Sequence, residues 1–245
     1  MCVMSISKLL DEQEFHHYFQ PIYNTTNWHT LGYEVLFRSR LYVNPEEAFK
    51  EARNEKKLYE LDTQSIHKAL FTYQEANYKK ENGYLFLNVF PSTILNPNFQ
   101  SFLNKIITEE LLNSQQIVFE LSEIEFTNEL SDLAKRIQQL QELGILIAID
   151  DIGKGYSNLQ TVIELSPNFL KLDRFFTKEL TSSQKKQRWI KHFLDYAEEF
   201  ESDVILEGLE TEIELATAKA LGVPYGQGYI LGRPDFLPTT KSRLF

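Results

Sequence analysis

The chain has 245 residues, 42% apolar and 24% charged, the balance of a globular protein with enough length for one large buried core. A formal net charge of -10 and a pI of about 5.1 exclude a surface that draws in phosphate backbones or anionic membrane without sequence preference. No apolar run approaches a membrane span, the single cysteine, Cys2, has no partner for an internal disulfide, and no Gly-, Pro- or Ser-rich stretch divides the chain, so the expectation is one domain over residues 1–245 in a soluble cytosolic protein, with no nucleic-acid polymer as partner and no direct membrane insertion.

In chain order, strands are expected at Tyr18 to Tyr23 and Thr30 to Phe37. The link between them, Asn24 to His29, is too short for a crossover helix, so these two strands should pair as an antiparallel hairpin. A helical pattern runs from Pro45 to Tyr78, with a break near Lys57. Strands and helices then alternate: Tyr84 to Val89, helix Pro97 to Leu112, strand Gln116 to Leu121, helix Glu129 to Leu143, strand Ile145 to Asp150 and helix Ser157 to Leu165. The same rhythm continues with strand Phe169 to Asp173, helix Phe175 to Phe200, strand Asp203 to Glu207, helix Glu212 to Leu221 and a last strand, Gly226 to Ile230. Eight strands with this spacing predict an α/β fold, a TIM-like (β/α)8 barrel whose first strand is inverted.

Most of these strands carry a polar residue where a buried strand should be nearly all apolar. They are Glu34, Asn88, Glu120, the pair Asp150 and Asp151, Lys171 and Glu207, with Gln227 on the last strand. Each has an ordinary explanation alone, as a helix cap, a solvated turn residue or a snorkelling lysine. In a barrel, however, the C-terminal ends of the strands converge on one face. Several carboxylates and an amide with no histidine or cysteine among them make an all-oxygen donor set, which suits Mg²⁺ or Mn²⁺ better than zinc. The five histidines, His16, His17, His29, His67 and His192, fall on helices or in the hairpin and read as structural or surface groups. Five acids, Glu34, Glu120, Asp150, Asp151 and Glu207, exceed what two divalent cations cancel by one charge. An anionic substrate such as a phosphodiester then needs Lys171 and Arg38 as positive help.

Glu34-Val35-Leu36-Phe37-Arg38 resembles the Glu-Ala-Leu-x-Arg signature of EAL domains, the cyclic di-GMP phosphodiesterases of bacterial signalling, and Phe19-Gln20-Pro21-Ile22 is similar to their Tyr-Gln-Pro-Ile strand. Leu87-Asn88-Val89, Phe119 to Glu123, Asp150 to Ser157, Pro167 to Asp173, Glu207 to Glu210 and Tyr225 to Tyr229 follow in the family's order, so the match runs from about residue 19 to 234. The resemblance implies a two-metal site: Glu34, Asn88, Glu120 and Asp150 hold one cation, and Asp150 bridges to a second that Asp151 also binds. It further implies that Lys171 and Glu207 position or activate the attacking water with support from Gln227. By the same resemblance, Arg38 contacts a substrate phosphate, Gln20 lines the nucleotide groove, and Glu123 holds the loop after Asp151. Implied partners are cyclic di-GMP and a second copy of the chain in a homodimer. Two positions depart from the family pattern, Ile152 for an aromatic residue and Lys154 for a small hydroxyl residue. The alternative within the family is a weakly active or inactive member that senses the nucleotide or binds protein. A barrel glycosidase using two carboxylates leaves Asn88 and Lys171 without roles.

Overall fold

A computed structural model of the chain describes residues 5–76, 83–109, 113–122, 130–154 and 159–237. Eight strands close into one barrel in sequence order: β1 (Phe15–Asn24), β2 (Thr30–Ser39), β3 (Tyr84–Asn88), β4 (Ile117–Leu121), β5 (Leu146–Ile152), β6 (Phe169–Leu172), β7 (Asp203–Leu206) and β8 (Tyr225–Gly226). β1 runs antiparallel to both β2 and β8, and every other neighbouring pair is parallel, which is the inverted first strand expected from the short hairpin. That hairpin is locally determined. Asn24 Oδ1 accepts from the backbone N–H of Thr26 and Asn27, and Asn27 Oδ1 accepts from His29 N–H, an Asx turn that reverses the chain within five residues.

Nine α-helices are present among the described residues: α1 (Ile6–Asp11), α2 (Pro45–Asn54), α3 (Leu58–Glu75), α4 (Pro91–Ile94), α5 (Phe99–Thr108), α6 (Leu130–Glu142), α7 (Leu159–Leu165), α8 (Gln184–Glu199) and α9 (Glu212–Leu221). The break expected near Lys57 is real, because Lys56 takes the left-handed conformation at φ 59° and separates α2 from α3. At its other end α2 is set by sequence, with Pro45 at the first turn and the Asn44 side chain accepting from Glu46 N–H. α9 carries a full capping box between Thr211 and Glu214 and ends on Gly222 at φ 89°.

Two expected elements are shorter. The helix expected from Phe175 begins only at Gln184, because Ser183 caps it there and residues 174–182 are folded into turns, with Phe175 N–H on Asp173 Oδ1 and Glu179 at φ 59°. The last strand stops at Gly226. Beyond it Gly228 lies against the backbone of Leu209, where a Cβ would fall 2.1 Å from the Leu209 carbonyl oxygen, and Leu231 and Gly232 donate back to the Gly228 carbonyl. The first helix, α1, has no counterpart in the expected elements; its buried Ile6, Leu9 and Leu10 pack with Phe15, Phe37, Tyr42 and α2.

The barrel interior explains how the site is placed. Ile22, Phe86, Val118, Ala148, Phe169 and Ile205 fill its middle as one apolar layer. Strand side chains alternate faces with a period of two. The residues two further along β3, β4, β5 and β6, and just past β7, therefore also point inward: Asn88, Glu120, Asp150, Lys171 and Glu207. On the antiparallel β1 the inward residue at that level precedes Ile22, and it is Gln20, opposite Glu34 of β2. The polar layer is thus the next storey above the apolar plug. Among the described residues no helix is long and apolar enough to cross a membrane.

Candidate active site

Lys171 is fully buried at the centre of this layer, and its Nζ lies 2.6 Å from Glu120 Oε1, 2.8 Å from Glu207 Oε1, 3.2 Å from Asp150 Oδ1 and 3.6 Å from Glu34 Oε2. Burial by itself favours the neutral amine. Asp150, Glu120, Glu207 and Glu34 together override it and hold the lysine well above its ordinary range, so it is an ammonium. Four carboxylates against one ammonium leave a deficit of positive charge in a place with little water. The cost is visible in the carboxyls: burial pushes Glu120 well above the usual carboxylate range, against the pull of Lys171 and with help from Glu34 and Asp150. Burial and then Asp150 do the same to Glu207.

Carboxylate oxygens of Glu34, Glu120 and Asp150 come within 4.8 Å of one another, as do those of Asp150, Asp151 and Glu207. The two trios share Asp150. Unbalanced negative charge and an all-oxygen donor set both fit divalent hard cations, the group that the resemblance calls for. Gln227 Nε2 donates to Glu34 Oε2 at 2.6 Å, while its Oε1 is buried and meets no donor among the described residues. That orphaned oxygen is available to a water or a hydrated ion. Asn88 donates from Nδ2 to Glu120 Oε2 at 3.3 Å, and a half-turn of the amide exchanges this donor for the oxygen that a cation needs.

Asp151 requires a separate explanation, because consecutive strand residues point to opposite faces. β5 solves this with a bulge: Ile149 pairs with Leu170 and Ile152 with Leu172, so three steps on β5 match two on β6. Asp151 takes up the extra residue at φ 57°, and its N–H donates to Asp150 Oδ1 at 2.8 Å. Both carboxylates then face the same site. Burial, then Asp150, raise Asp151 above the ordinary aspartate range, with Lys154 pulling the other way.

Two cavities meet at these acids. One of about 290 Å³ is lined by Gln20, Leu36, Asp173, Arg174, Glu210 and Tyr229, the other of about 630 Å³ by Arg38, Phe49, Arg53, Asp62, Phe90 and Lys154, and Glu34, Asp150 and Asp151 belong to both. Gln20 is fixed by its Nε2 donating to the Gly232 carbonyl at 3.0 Å, and Arg38 lies 5.4 Å over the Tyr18 ring while donating to the Phe37 carbonyl. Every site residue expected from the sequence is therefore brought to this face except Glu123, which lies outside the described residues. The histidines stay out of it: His17 is buried against Ser65, and His67 pairs with Glu109.

Several residues at the site escaped the reading of the sequence. Asp173 follows Lys171 by two, so strand alternation alone could have pointed to it. The aromatic and arginine lining of the larger cavity comes from α2 and the end of β3, segments far apart in sequence, and carries no local signal.

Inward acids clustered above an apolar plug lie at the C-terminal ends of the strands, the face on which enzymes of barrel fold carry their active sites. The chain belongs to the EAL domain family, whose model matches residues 4–234. Among its relatives, the cyclic di-GMP phosphodiesterase TpdA of Vibrio parahaemolyticus is 28% identical over 224 residues, covering 91% of this chain and 38% of TpdA. This chain therefore spans well under half the length of that relative. Two solved structures share the fold. A manganese and cyclic di-GMP complex of BlrP1 from Klebsiella pneumoniae has a TM-score of 0.82 at 25% identity, over 91% of this chain and 56% of that one. A standalone EAL protein from Vibrio cholerae in its cyclic di-GMP-bound form has a TM-score of 0.80 at 26% identity, over 91% and 92%.

Proposed function

We propose that the protein is a metal-dependent phosphodiesterase that opens cyclic di-GMP to linear pGpG. The observation that carries this reading is the pair of carboxylate trios sharing Asp150 around the Lys171 ammonium, at the junction of two cavities. A cyclic dinucleotide presents two bases and two phosphates. Two lobes meeting at one acidic cluster suit a ligand with a base on either side of the phosphate under attack.

In this reading Glu34, Asn88, Glu120 and Asp150 hold one cation, and Asp150 with Asp151 holds a second. Bound Mg²⁺ or Mn²⁺ would supply Lewis-acid polarisation of the phosphate and acidify a bound water. The chain's own groups do the rest. Lys171 Nζ, held between Glu120 and Glu207, is a fixed donor that orients the attacking water, and it remains charged because the acids keep it so. Glu207, its carboxyl raised by burial and Asp150, is suited to take the proton from that water. Gln227 holds Glu34 in place and offers its free oxygen to the same water network. Arg38 at the rim of the larger cavity counters the phosphate charge, and Gln20 lines the smaller one. Water attacks phosphorus in line with the departing 3′ oxygen; the P–O3′ bond breaks as the new P–O bond forms, and the leaving oxygen takes a proton from solvent, balancing the one that Glu207 accepts. The family resemblance extends the reading to a homodimer acting in the cytoplasm.

The test is chromatography of cyclic di-GMP incubated with the purified protein and Mg²⁺ or Mn²⁺, with and without chelator. Formation of pGpG that stops on chelation is expected. Undiminished hydrolysis in excess chelator, or none with either ion, overturns the reading.

A further inference from the structure

Of the two carboxylate trios, the outer one already has a cation on it. Lys154 Nζ lies 3.1 Å from Asp151 Oδ2 and 3.3 Å from Oδ1, so the ammonium straddles both oxygens of an acid that belongs to the outer trio and not to the inner one. The arrangement is set by the backbone. Asp151 at φ 57° and Gly153 at φ 102° turn the chain, Lys154 N–H donates to the Asp151 carbonyl at 3.1 Å, and the lysine side chain is folded back over the acid three residues before it. Gly153 is held there by close packing, since a Cβ on it would fall 2.4 Å from the Phe176 ring.

We propose that Lys154 is a tethered cation competing for the second divalent-ion position, so that this protein fills its two metal sites unequally and the second ion must displace the lysine from Asp151. This rests on the reading that the acids hold divalent ions. An ammonium 3 Å from both oxygens denies an incoming cation its ligand and repels it as a like charge. Among the described residues Lys154 Nζ pairs with Asp151 and with none of Glu34, Glu120 and Asp150, so the inner trio is under no such direct control. Displacement has a destination, because the lysine side chain is 59% exposed and also lines the 630 Å³ cavity. Its hold is accordingly modest. A largely exposed ion pair of this kind weakens a competitor by about fivefold, a burden on the second site and not a block.

The discriminating measurement is Mn²⁺ binding to the chelator-stripped full chain without nucleotide, read from the free-ion electron paramagnetic resonance signal. The wild type should show one tight and one weaker class of site. Lys154→Met should tighten the weaker class by about fivefold and leave the tight class unchanged, while Lys154→Arg should keep the wild-type pattern because it keeps the charge. If Lys154→Met alters neither class, or both equally, the inference is wrong while the metal site stands. Absence of Mn²⁺ binding in every protein would overturn the metal site and the inference together. Far-ultraviolet circular dichroism that superposes for the three proteins excludes misfolding as the cause of a difference.

Discussion

Lys171→Met removes the one positive charge inside the ring of carboxylates while keeping most of the side-chain volume. Four carboxylate oxygens at 2.6 to 3.6 Å lose their common partner, Lys171 and Glu120 being fully buried and the other three acids largely so. Breaking a buried pair from one side costs about 3–5 kcal/mol. The lower end applies here, because burial has already raised Glu120 and Glu207 and they take up protons readily once the ammonium is gone. A loss of about 3 kcal/mol is large against a domain stability of roughly 5–15 kcal/mol. Divalent cations should offset much of it, since an ion at a hundred times its Kd stabilises by about 2.7 kcal/mol. Urea unfolding followed by circular dichroism, for both proteins in chelator and in saturating Mn²⁺, measures each quantity. The variant should be strongly destabilised in chelator, brought by Mn²⁺ close to the stability of the metal-free wild type, and still slower in turnover by about 10²–10⁴-fold with Mn²⁺ present. A variant as stable as the wild type in chelator would refute the electrostatic account of the site, and undiminished turnover would remove Lys171 from the water network.

Glu34→Ala should lower pGpG formation by at least about 100-fold and weaken Mn²⁺ binding, since it deletes a proposed ligand and leaves Gln227 Nε2 without its 2.6 Å partner; normal Mn²⁺ affinity in the variant would show that the inner trio is not a metal site. His17, 3% exposed, is lowered by burial and then by Lys68 from 6.5 to about 3, so between those values the unfolded chain binds a proton that the folded chain does not. Its contribution to stability is complete above pH 6.5 and falls as pH drops, by about 2.7 kcal/mol at pH 4.5. In urea titrations at pH 7 and 4.5, His17→Gln should lose less stability on acidification than the wild type by about that amount, and equal losses would mean that His17 is protonated in the folded state.

Much of the architecture was legible in the residues alone, for reasons of range. The alternation of apolar and polar positions is local, and it places Phe86 and Asn88, Val118 and Glu120, Ala148 and Asp150, and Phe169 and Lys171 on the inside of their strands in two successive layers. The short link after Asn24 is local too, and it alone dictates the antiparallel first pair. Element ends were less legible, because the start of α8 and the early stop of β8 depend on Ser183 capping and on the approach of Gly228 to Leu209.

What only the tertiary structure decided is which charge meets which. Strand alternation would send Asp150 and Asp151 to opposite faces, and it is the register shift against β6 that turns both into one site. Nothing in the spacing of the residues says that four acids from four strands enclose one buried ammonium, since their separation is set by barrel closure. Lys154 shows the same division. The sequence places it three residues after Asp151, but its contact with both oxygens of that acid depends on two departures from extended backbone, at Asp151 and Gly153, and on the packing of Gly153 against Phe176 that holds the turn. Composition and pattern determine which groups face inward; through-space distances, on which electrostatic energy depends, exist only once the barrel has closed.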